Sequence, residues 1–193
     1  MMSRGRWLLL LSLSWLWLGS PLARAGVIWT SEALLKDMFS TADRVTYLQF
    51  DLNPTQKAEF KKRLGYDAPR TRYTFFVAYG APSEGSPVVG YALFDQQQGQ
   101  HQPIDFAVQF DTRGLVVRQE VVVYREAWGE EIRNPRFRAQ FQGKSSQSPL
   151  RVGDDITIVS GATISSRAMA IGVKRGCVLW DLLISSSTPG VSP

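Results

Sequence analysis

The sequence predicts an α+β fold: an antiparallel β-meander with helices packed against it. Three observations point there. Four β-rich runs follow one another between Arg72 and Tyr124, separated only by turn residues. Helical patterns stand before and after this block, the arrangement of a segregated sheet-and-helix domain. At 193 residues the chain has the length of a single domain with a proper core.

The first 25 residues read as an export signal. Arg4 and Arg6 make a basic start, Trp7–Leu18 is apolar apart from two serines, and Ala23-Arg24-Ala25 fits the small-x-small pattern before a cleavage point. The apolar stretch is shorter than the roughly 20 residues that span a bilayer, which favours cleavage after Ala25 over an uncleaved anchor. The mature protein is thereby expected in the periplasm. Without the three signal arginines the formal charge falls from +5 to +2, giving no reason to expect nucleic acid as a partner. Cys177 is the only cysteine and His101 the only histidine, so no internal disulfide and no His/Cys metal cluster is expected.

In the body of the chain, Ser31 is positioned to cap a helix over Glu32–Met38. Asn53-Pro54 supplies a cap and a first-position proline, and Gly65 closes that second helix. The β runs are Arg72–Tyr79, Val88–Asp95, Ile104–Asp111 and Leu115–Tyr124, with Gly80, Pro82, Gly85, Gly99 and Gly114 in the gaps. Alternation is clearest in the third, where Ile104, Phe106, Val108 and Phe110 share a face. Asn134-Pro135 and Gly143 frame a short helix whose Phe137 and Phe141 read as core. A short strand is expected at Ile156–Val159 and a last helix from about Ser165, with Ala168, Ile171, Val178 and Leu182 at helical spacing. Arg175 interrupts that face, and whether Gly176 ends the helix is left open. The segment 185–193, rich in Ser, Pro and Gly, reads as a disordered tail.

Between that expected strand and helix stand Ser160-Gly161-Ala162-Thr163. A helix start offers free N–H groups and a positive dipole end, both suited to a phosphate. Gly161 permits φ > 0 and close approach, while Ser160 and Ala162 leave room around the Thr163 hydroxyl. Arg167, one turn on, lies on the same side. The alternative makes Ser160 or Thr163 a helix cap and Gly161 a turn residue, and spacing leaves both open.

Ser-Gly-Ala-Thr followed by Ile164-Ser165-Ser166 resembles the site at which a flavin transferase joins FMN to threonine. That site marks the FMN-binding domain shared by flavin-carrying components of the Rnf complex and of the sodium-translocating NADH:quinone reductase. A second block, Tyr124–Lys144, is similar to the same family at Glu126, Gly129, Phe137, Phe141, Gly143 and Lys144. The resemblance covers about 88–174 of a single domain expected over 26–184. It implies FMN esterified through its phosphate to Thr163, with Ser160, Gly161, Ala162, Ser165, Ser166 and Arg167 around the phosphate. It also implies Glu126, Gly129 and Lys144 near the flavin. Two positions depart from the family pattern: Thr157 stands where Asp is common, with Asp155 two residues upstream, and Trp128 stands where Pro is common.

By this resemblance the protein is an electron carrier between a membrane redox partner and a periplasmic acceptor, loaded by a flavin transferase and using no metal. Two other readings stand beside it: a flavin-dependent reductase of a small periplasmic substrate, and a non-redox binding module in which the small residues only start a helix. His101 reads as a solvated loop residue and Cys177 as a small buried one.

Overall fold

The computed structural model describes residues 26–187. The expected signal, and the expected tail from 188 onward, lie outside the described residues. The elements run β1 (Gly26–Val27), α1 (Ser31–Met38), β2 (Arg44–Asp51), α2 (Pro54–Leu64), β3 (Arg72–Tyr79), β4 (Val88–Gln98), β5 (Pro103–Phe110), β6 (Val116–Tyr124), α3 (Pro135–Ala139) and α4 (Thr163–Leu183). Six strands form one open antiparallel sheet in the order β1-β6-β5-β4-β3-β2, so the four-run meander is extended at each edge. The fold is α+β as the sequence predicts.

One face of the sheet carries the larger core. Ile104, Phe106, Val108 and Phe110, the alternating set of β5, are all fully buried there. Phe75, Val77, Leu93 and the α4 residues Met169, Val173, Cys177 and Leu179 belong to the same cluster. On the opposite face Ala78, Ala92 and Ala107 leave room for α1, which lays Leu34, Met38 and the following Phe39 against them. Small residues on one face and large ones on the other thus decide which helix sits close.

Local signals explain most element ends. Asn53 and Gln56 make a reciprocal capping box at the start of α2, and Gly65 ends it in the left-handed conformation. At α1 the cap is Thr30 rather than the expected Ser31: its hydroxyl accepts the Ala33 amide at 3.2 Å. β2 is not among the four expected runs. Its Val45, Tyr47 and Leu48 are exposed on both faces of an edge strand, so it lacks the polar/apolar alternation that marks a half-buried one.

The expected strand at Ile156–Val159 is absent; only Ile156 makes a bridge, to Val152. The backbone there bonds to side chains instead. Gln140 accepts the Thr157 amide at 2.7 Å and donates to the Thr157 carbonyl at 3.1 Å, while the Ser166 hydroxyl accepts the Val159 amide at 3.3 Å. The last helix begins at Thr163, two residues earlier than expected, and runs unbroken through Gly176 to Leu183. Ser185–Ser187, expected in the tail, form a 3-10 turn.

Two devices seat α4 on the sheet. A Cβ on Gly172 would lie 2.7 Å from the Phe106 ring, so glycine there sets the approach distance. Arg175, an interruption of the apolar face by its spacing, is 4% exposed and forms a buried ion pair with Asp95 at 2.7 Å. It also donates to the Gln97 side chain and the Gln96 carbonyl, each at 2.7 Å, and Arg70 takes the other oxygen of Asp95. Cys177 is buried as expected, and burial pushes its thiol up to about 12, so it stays protonated and inert at neutral pH. Truncating Arg175 strips a buried carboxylate of its better partner. Arg175→Leu is expected to cost about 3 kcal/mol in urea unfolding; a loss below about 1 kcal/mol would show the pair to be dispensable.

Candidate functional site

The start of α4 has no side-chain cap. Ala162 is the capping residue, and neither Ser160 nor Thr163 bonds to a first-turn amide, which removes the capping alternative. The Ala162 amide donates to the Val159 carbonyl and the Ser166 amide to the Ala162 carbonyl. Among the described residues the amides of Thr163, Ile164 and Ser165 have no protein acceptor. Gly161 has φ +82°, a left-handed turn that no β-carbon crowds. Ser160 and Gly161 are exposed, Ala162 is buried and Thr163 is half-buried at the surface. Free amides, a positive helix end and a hydroxyl meet at one spot, a donor set that fits an esterified phosphate. One carboxylate, that of Glu131, lies near this turn, 3.6 Å from where a β-carbon on Gly161 would stand.

The second block packs against this helix start from beneath. A Cβ on Gly129, whose φ is +92°, would fall 2.6 Å from the Ser165 hydroxyl and 2.8 Å from the Tyr124 hydroxyl. Tyr124 donates to the Trp128 carbonyl at 2.5 Å and lies 2.9 Å from Ser165 Oγ. A carbonyl only accepts, so the phenol proton goes to Trp128 and Ser165 donates to the phenol. Burial raises the Tyr124 pKa, and the carboxylates of Glu126, Glu131 and Glu130 add to the effect against the Ser165 hydrogen bond. The phenol is therefore neutral in the physiological range, as this chain of bonds requires. The loop 125–129 is thereby fixed beside α4 while the Trp128 indole stands 84% exposed.

The other expected residues make contacts of their own. Glu126 accepts the amides of His101 and Gln102 at 2.7 and 3.0 Å, so it holds the β4–β5 turn in place. Gly99 is needed there, since its Cβ would lie 2.6 Å from Glu126 Oε1. Lys144 pairs with Asp155 at 2.8 Å. Arg167 is exposed and lines a cavity with Arg63, Arg151 and Lys174, one turn along α4 from Thr163. Sequence reasoning missed Tyr124 as the hinge of the site. Its signal is a lone tyrosine that closes an otherwise valine-rich strand.

Asp155 ties the 150–157 loop down. Burial pushes its carboxyl up, but the Lys144 hydrogen bond and backbone donors from Arg151 and Leu150 outweigh this and hold it below the usual aspartate range. A lowered folded pKa stabilises fully above the unfolded value and is lost as pH falls through the folded one.

Residues 99–177 match the family model of the FMN-binding domain. Among solved structures, the crystal structure of Shewanella oneidensis NqrC is similar at 15% identity and a TM-score of 0.49, over 82% of this chain and 86% of that one. No curated protein matches.

Gly129→Ala, which forces both positive φ and a clash with Ser165 and Tyr124, is expected to lower stability by about 2 kcal/mol, read by denaturant unfolding. The melting temperature of the native chain should drop below pH ~4 more steeply than that of Asp155→Asn. Parallel curves for the two would show that Asp155 is not linked to folding in that range.

Proposed function

We propose that the protein, whose residues 99–177 match the FMN-binding domain, is an exported flavoprotein carrying FMN as a phosphoester on Thr163. It passes electrons between a membrane redox partner and a periplasmic acceptor. The observation that carries this reading is the uncapped start of α4. It presents the Thr163 hydroxyl beside three amides without protein acceptors, inside the matched segment.

When bound, the flavin supplies one- and two-electron chemistry. The chain's own residues tether and orient. The amides of Thr163, Ile164 and Ser165 face the phosphate position, and the helix dipole favours the single negative charge a phosphodiester keeps. Ser165, Tyr124 and the Trp128 carbonyl lock the 125–129 loop against that helix start, which fixes the wall beside the tether. A covalent link makes retention independent of free cofactor concentration, an advantage outside the cytoplasm. Flavin transferase is the enzyme that would make the ester. The apolar leader Trp7–Leu18 and Ala23-Arg24-Ala25 support export. No helix among the described residues is long and apolar enough to cross a membrane.

Co-expression with a flavin transferase should add the mass of one FMN less water and give a fluorescent band in a denaturing gel. Thr163→Ala should lose both while keeping its melting temperature, because Thr163 caps nothing. A wild-type chain of unmodified mass under those conditions would reject the covalent reading.

A further inference from the structure

One face of α4 continues from Thr163 through Arg167, Ala170 and Lys174 at helical spacing. Beyond Thr163 this face forms a wall of a cavity of about 400 Å³, closed on the other side by the end of α2 and by residues 149–152. Four cations line it, Arg63, Arg151, Arg167 and Lys174, and no carboxylate does. Its walls are otherwise largely apolar, with Leu150 buried and Ile171 44% exposed into solvent.

The cations differ in how far they are compensated. Arg63 is paired with Glu59 and Asp181, which lie outside the lining. Arg151 has only an exposed contact with Asp154 at 3.4 Å. Lys174 donates to the neutral carbonyls of Ser146 and Ser148 at 2.7 and 2.6 Å and has no carboxylate within ion-pair distance among the described residues. The Arg167 guanidinium has no hydrogen bond or ion pair among them. Burial lowers the Lys174 pKa and, against the pull of Cys177 and Asp155, the charges of Arg63 and Arg151 lower it further, so like charges converge here. Such a concentration over an apolar floor is costly unless an anion neutralises it, and a bare inorganic ion would leave the floor unused.

We propose that this cavity is a binding site for a small organic anion: a carboxylate or phosphate monoester held by Arg151, Arg167 and Lys174, with an apolar body resting on Leu150 and Ile171. It is separate from the phosphate position at the start of α4 and does not depend on flavin attachment. Guanidinium groups suit either head group, since both present paired oxygens to the fork.

Phenyl phosphate is the probe, titrated into the 26–193 chain followed by amide NMR, with benzyl alcohol and inorganic phosphate as single-feature controls. Saturable shifts are expected at 149–152 and 167–174, weaker by at least tenfold for each control. Arg151→Ala combined with Arg167→Ala should weaken phenyl phosphate at least tenfold with the fold intact by its amide spectrum. Leu150 and Ile171 are left in place in that variant, so lost affinity reports charge. The same titration on Thr163→Ala should give an unchanged affinity, which keeps this site distinguishable from the flavin tether. Absence of saturation, equal binding of inorganic phosphate, or an unaffected double variant would each overturn the proposal.

Discussion

The buried contact between α4 and the sheet is the constraint on which the rest depends. Arg175 anchors the helix to Asp95, Gln96 and Gln97 on β4, and Gly172 lets it rest against Phe106. A fully desolvated ion pair contributes little net stability compared with apolar packing, yet it tolerates only one register. A shift of α4 by one residue would turn Arg175 by about 100° and leave Asp95 facing apolar side chains. Everything displayed at the helix start inherits that register. Thr163 lies twelve residues upstream of Arg175 on the same rigid rod, so the clamp on β4 determines where the threonine hydroxyl points.

The second block then meets a surface already in position. Gly129 and Tyr124 do not create the helix start; they fit against Ser165, and the fit is tight enough to exclude a single methyl group. This explains why residues that are far apart in the chain look like one motif. The interval between them is filled by α3 and the 144–159 segment, whose side chains Gln140, Lys144 and Asp155 supply hydrogen bonds that a strand neighbour would otherwise give.

Much of the fold was legible because its signals are local. The cap-plus-proline starts at Asn53 and Asn134, the alternation of β5 and the glycines between strands each fix structure within a few residues. What was illegible depends on partners distant in sequence. β2 is a strand because β3 pairs with it, with no apolar face of its own to announce it. Ile156–Val159 has strand composition but finds Gln140 instead of a neighbouring strand. Within the candidate site the cluster of small residues was readable as a helix start, but its lack of a cap was not, since a cap is a matter of rotamer and approach. Glu126 and Lys144 were legible as polar residues near the right element. Their engagement by the His101–Gln102 turn and by Asp155 follows only from the folded arrangement.

Charge placement along α4 gives the two ends of one helix face different tasks. At a rise of 1.5 Å per residue, Arg167 stands about 6 Å from Thr163 along the axis and Lys174 about 16 Å. The carboxylate of Glu131 faces Gly161 and opposes the dipole at the helix start, whereas no carboxylate lines the cavity further on. A freely diffusing anion therefore meets more positive charge at the Arg167–Lys174 end, where four cations line the cavity, than at the helix start beside Glu131. Under the proposed ester at Thr163 that balance does not govern retention, and the cavity is left as the place where a non-covalent anion would settle.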